Sequence, residues 1–141
     1  MKVLRAERNL LLVRVDLGEE IVDSLVSVAR EHGIRAATVT GLGAVRDTRL
    51  GYFDAEAREY RTRDFPGVLE LVSFIGNLAL FKGEPMLHAH VVVADEEFRC
   101  HGGHLMHATV AVTGEFSVRV ATGPLLRREN ERLGIKEQDI P

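Results

Sequence analysis

Five of the six histidines in this 141-residue chain fall within twenty residues: His88, His90, His101, His104 and His107. His88-Ala89-His90 leads into an apolar run, Val91-Val92-Val93. In a strand, residues i and i+2 project from the same face, so the two imidazoles stand side by side. Their nitrogens can then reach one metal ion without bending the backbone. Zinc takes three protein ligands where a fourth position is kept open. The third ligand must come from a neighbouring strand or turn. His104 follows Gly102-Gly103, a pair that permits a turn or bulge and close backbone approach. A hairpin return would bring it beside the first two. His101 and His107 have the opposite strand parity and stand as reserve ligands, since the glycines can break that parity. The competing reading is a group of strand and turn histidines satisfied by hydrogen bonds. That reading is taken for His32, His101 and His107, and Cys100 is read as a small hydrophobe.

An ion held by three neutral imidazoles keeps its double charge. It can polarise a carbonyl or lower the pKa of bound water to about 7. An enzyme of this kind also needs a proton carrier, and Glu70 and Glu115, each on an apolar strand, are the candidates. Either could equally be a solvated edge position, because a carboxylate buried without a partner is costly. Gly41, Gly43, Gly76, Asn77, Gly102 and Gly103 are the expected turn or pocket positions.

The elements that must position these groups are legible in part. Leu10 to Val15 reads as a buried strand. Gly18-Glu19-Glu20 opens a helix over about 18–32, with acidic residues where the helix dipole favours them. Ile21, Leu25, Val28 and Ala29 give it one apolar face, and Gly33 stops it. From Ala36 the period changes to that of strands. A short strand, Ala36 to Thr40, is followed by a turn at Gly41-Leu42-Gly43-Ala44. Further strands are expected at about 45–54, 59–64, 68–80, 88–94 and 109–121. Short links between them favour antiparallel pairing. The fold class is therefore α+β, a mainly antiparallel sheet with one principal helix. Residues 1–141 read as one domain, with a charged tail from about residue 127 forming a short helix before Gly134.

Composition sets the bounds. With 45% apolar residues and a formal charge of −3, the chain is neither disordered nor a strongly basic nucleic-acid binder. Its length allows a core without metal or disulfide staples. The single cysteine excludes an internal disulfide framework and fits a reducing compartment. The charged N-terminus does not read as a signal peptide, and the Val68–Phe81 stretch is too short and polar to span a bilayer. The expectation is a cytoplasmic protein without membrane contact. Arginine outnumbers lysine fifteen to three, a bias that a thermophile and a GC-rich genome would both produce.

Several stretches occur in a telling order: Gly41-Leu42-Gly43-Ala44; Gly67-Val68-Leu69-Glu70-Leu71-Val72 leading to Gly76-Asn77; Pro85-Met86-Leu87-His88-Ala89-His90; and Gly102-Gly103-His104-Leu105. From about Arg8 to Leu126 the chain resembles the PPC (plants and prokaryotes conserved) domain family, of the stand-alone prokaryotic type. The resemblance implies an α+β fold, a homotrimer, and a metal on the His-x-His pair and the Gly-Gly-His histidine. Those positions are His88, His90 and His104 here. Plant members carry an AT-hook and a Gly-Arg-Phe-Glu-Ile-Leu contact stretch. This chain contains no Arg-Gly-Arg-Pro hook, and its matching stretch lacks the arginine. The plant-type role is therefore not carried over. Arg58, Arg61 and Arg63 are interleaved with Glu56, Glu59 and Asp64, as on a solvated strand face. The fold is also similar to that of acetolactate decarboxylase, whose zinc sits on a comparable histidine set; this is analogy only.

Three functions follow as expectations. The first is a homotrimeric protein with a divalent metal, zinc, and a small-molecule or regulatory binding role. The second is a zinc-dependent lyase or hydrolase using the same three histidines. The third is a DNA-associated regulatory protein without an AT-hook.

Overall fold

A computed structural model describes all 141 residues. The helix α1 spans Ile21–Glu31, with Ile21, Leu25, Val28 and Ala29 buried along one face. Glu20 caps it, its carboxylate accepting from the Asp23 amide at 2.7 Å, and His32 is the C-terminal cap. Gly33 follows at φ +61°, the left-handed stop that a glycine supplies at little cost. The helix thus starts three residues later than expected from Gly18, which sits at φ +85° ahead of the cap.

Nine strands form one sheet: β1 (Lys2–Glu7), β2 (Leu10–Val15), β3 (Ala36–Asp54), β4 (Glu59–Phe65), β5 (Leu69–Phe81), β6 (Glu84–Ala94), β7 (Cys100–Val120), β8 (Leu126–Asn130) and β9 (Ile135–Asp139). All pairings are antiparallel except the single β5–β8 contact. β3 pairs with both β5 and β7, and β6 pairs with the same two strands. These four strands therefore close a circuit. Inside lie residues such as Val39, Phe74, Leu78, Val91, Val93 and Val118, with α1 packed against β6 and β7.

Four expectations are corrected. Gly41-Leu42-Gly43-Ala44 is not a turn: β3 runs through it with a register shift against β5. A Cβ at Gly43 would collide with the Thr113 carbonyl oxygen, so glycine there serves close strand approach. Gly102-Gly103 likewise lies within β7, opposite Val92 and Val91, and the β6–β7 turn falls at 95–99. The tail is not a helix; Leu126–Asn130 and Ile135–Asp139 form a hairpin, closed by the Gly134 amide on the Asn130 carbonyl with Gly134 at φ +72°. Finally, β1 was not expected at all. It is an exposed edge strand, and its charged residues hide the alternation that betrays a half-buried strand.

Candidate metal centre

Alternation along β6 sets the site. Leu87, Ala89, Val91 and Val93 point into the core, so His88 and His90 project from the opposite face. β7 returns antiparallel, and its register places His104 directly across from His90. The glycines before His104 let β7 lie close to its neighbours: a Cβ at Gly103 would stand 2.9 Å from the Gly51 carbonyl oxygen. On β5, a Cβ at Gly76 would stand 2.8 Å from the His88 carbonyl oxygen. Small residues thus bring the strands that carry the histidines together.

The three rings meet with centroid separations of 5.2 Å (His88–His90), 4.9 Å (His88–His104) and 5.4 Å (His90–His104). One ligand nitrogen from each lies within 4.8 Å of the others. Burial, then the charges of His88, His90 and Arg127, lowers the His104 pKa to about 4. Burial, followed by Arg127 and His90, lowers that of His88. His88 and His104 are therefore neutral at pH 7, the form that offers a lone pair. His104 Nδ1 is buried without a hydrogen-bond partner. An unsatisfied buried nitrogen costs about 1–3 kcal/mol, and a cation is the partner that three converging imidazoles suit. On the chemistry of its donor set, the cluster fits a divalent ion.

Other elements roof the histidines. Tyr60, on β4, packs its ring on His104 at 4.8 Å, and Phe53, on β3, meets Tyr60 at 5.2 Å. From β8, Arg127 donates through Nη2 to Asn77 Oδ1 at 2.5 Å and through Nη1 to the Lys136 carbonyl at 2.7 Å. Phe53, Tyr60, Arg127, Lys136 and the histidines are among the residues lining a cavity of about 390 Å³, within the size range of small-molecule sites.

Of the expected site residues, the structure brings His88, His90, His104 and Asn77 together. Glu70 is exposed on β5, and Glu115 borders a separate cavity beside Leu4, Leu12 and Phe116. Neither lines the histidine cavity. His101 faces Asp95 at 3.4 Å and His107 faces Glu20 at 3.7 Å, so both reserve ligands are engaged elsewhere. Sequence reasoning missed Tyr60, Phe53 and Arg127. No local pattern marks the first two, and Arg127 was hidden in a tail whose run of charges suggested a helix.

The profile of the Plants and Prokaryotes Conserved (PCC) domain, the PPC family under its other abbreviation, matches residues 5–122. The chain belongs to this family. Solved structures agree with that membership. A plant- and prokaryote-conserved protein from Pyrococcus horikoshii is 32% identical, with TM-score 0.85 over 94% of this chain and 92% of its own. A metal-containing protein from Archaeoglobus fulgidus is 31% identical, with TM-score 0.85 over 97% and 98% of the two chains. A candidate DNA-binding protein from Bacteroides thetaiotaomicron is 26% identical, with TM-score 0.93 over 96% and 95%. No curated protein matches the chain. No helix of this PCC domain is long and apolar enough to cross a membrane.

Proposed function

We propose that this PCC-domain protein is a homotrimer that holds a divalent metal, zinc, on His88, His90 and His104, beside a cavity for a small molecule. The observation that carries this reading is the convergence of three histidine nitrogens within 4.8 Å, one belonging to a ring with an unpartnered buried nitrogen. Such an ion supplies Lewis acidity and an open coordination position. The residues of the chain hold it, Tyr60 covers it, and Arg127 closes one side of the cavity. The metal-containing relative adds support by analogy.

The trimer rests on the family resemblance and on a run of apolar side chains. Ile75 and Val92 share the outer face with His90, since Ile75 pairs with His90 and Val92 lies two residues beyond it. They are 65% and 36% exposed, an apolar extension of the site suited to self-association. Nucleic-acid binding finds less support. Arg61 pairs with Asp54 and Arg49 with Asp64, so part of the arginine stripe is neutralised within the chain.

Elemental analysis of protein purified without a histidine tag tests the metal. Near one zinc per chain is expected, falling below a tenth in the His88→Ala/His90→Ala variant. Equal, negligible metal in both would overturn the site. Light scattering coupled to size exclusion tests the trimer, and a monomer would refute it.

A further inference from the structure

Arg127 is the most unusual charged residue in the molecule. It is 6% exposed, yet no carboxylate pairs with it. Its two hydrogen bonds go to neutral oxygens, Asn77 Oδ1 and the Lys136 carbonyl, while its Nε is buried without a partner. Guanidinium stays protonated in proteins, so the group cannot escape by losing its charge. A buried cation without an opposing charge costs several kcal/mol. That cost persists only where something else compensates it. Within this chain nothing does: none of the ten residues lining the shared cavity is acidic.

The same cavity holds the three histidines, so the guanidinium and the proposed metal position face one space. Its remaining walls include a second cationic residue, Lys136, and Phe53, Tyr60, Met86 and Ile135, which are apolar or aromatic. Cationic and apolar surfaces together select an anion with an organic body. We propose that the cavity binds a small organic carboxylate, its carboxylate on the Arg127 guanidinium and its apolar part against Phe53, Tyr60 and Met86. The planar guanidinium retains three of its five N–H donors after its bonds to Asn77 and Lys136, enough to meet a carboxylate. The apolar walls favour an anion with an organic body over inorganic phosphate, which has none. This inference deepens the proposed function, and it rests on that reading only for the ion beside the carboxylate.

Binding of benzoate, benzamide and inorganic phosphate is measured by calorimetry on the zinc-loaded full chain and on the Arg127→Gln variant. Zinc content is determined in parallel. Benzoate should bind at least tenfold more tightly than benzamide, its neutral isostere, and lose at least tenfold in Arg127→Gln while zinc content holds. Should that variant fail to fold, the benzoate-to-benzamide ratio on the native chain still decides. Equal affinity for the two, binding of phosphate in place of benzoate, or benzoate binding unchanged by Arg127→Gln would overturn the proposal. Absence of benzoate binding to protein that carries zinc would overturn it and leave the metal reading standing. Arg127-dependent benzoate binding to a chain that takes up no zinc would do the reverse.

Discussion

The two ends of the β6–β7 hairpin use the same residue types to opposite ends. At the turn, Asp95 accepts from the Glu97 and Arg99 amides at 3.0 Å and from Arg99 Nε at 2.9 Å, while His101 stands 3.4 Å away. Here Arg99 has carboxylate partners in Asp95 and Glu97, and His101 also packs on Phe65 at 4.9 Å. Farther along β7, His104 retains a buried nitrogen without a partner, as does Arg127 on β8, and no carboxylate lines their cavity. The turn is satisfied within the chain, as a structural motif should be. The cavity is left incomplete in both its histidine and its arginine. On the proposed reading, the difference separates a histidine satisfied within the chain from histidines that converge on a metal position.

The largest test of that contrast is paired substitution. His104→Ala should weaken zinc binding by about 100-fold or more, because a ligand is lost, whereas His101→Ala should leave it unchanged. Competition with a chromophoric chelator measures both, and equal losses would erase the distinction between the two ends. Next in size is Asn77→Ala, which strips an acceptor from the buried guanidinium. It should cost about 1–3 kcal/mol in urea unfolding. Asp95→Ala removes hydrogen bonds at the exposed turn and should lower the urea midpoint by less.

Acidity sharpens the contrast further. His104, in metal-free protein, has its pKa lowered from 6.5 to about 4, chiefly by burial. Between these values the unfolded chain binds a proton that the folded chain refuses. Stability should therefore fall as pH drops from 6.5 towards 4. Desolvation would raise the Asp95 pKa, but hydrogen bonds from Arg99, His101 and the Glu97 amide outweigh it and hold it at about 2. Its contribution should persist above 3.8 and be lost only as pH falls from there towards 2. Urea midpoints across pH, with His104→Ala and Asp95→Asn each flattening its own window, check the assignment. The smallest effect expected is that of His101→Ala on stability, below about 1 kcal/mol, since its contact with Asp95 is partly solvated.

By itself, the sequence determined what depends on neighbours in the chain. The two-residue period of His88-Ala89-His90 placed both rings on one face, and the three-to-four-residue period of Ile21, Leu25 and Val28 marked the helix that forms over 21–31. The glycine pair announced His104, although the glycines permit close strand approach within β7 instead of a turn. Read in order, the motifs also identified the family now shown over residues 5–122.

Other features were decided only in three dimensions. Gly41-Leu42-Gly43-Ala44 has the composition of a turn, yet the ladders on both sides hold it extended within β3. Glu70 and Glu115 have the residue type for proton transfer, but strand register carries both away from the histidine cavity. Tyr60 and Arg127 reach the cavity from β4 and β8, 44 and 23 residues from His104 in sequence. No local period encodes such a meeting. It follows from strand pairing over long separations, where each register is set by the burial of an entire face. Nor could any spacing rule reveal that Arg127 would be buried without a counter-charge, because that absence belongs to the assembled cavity.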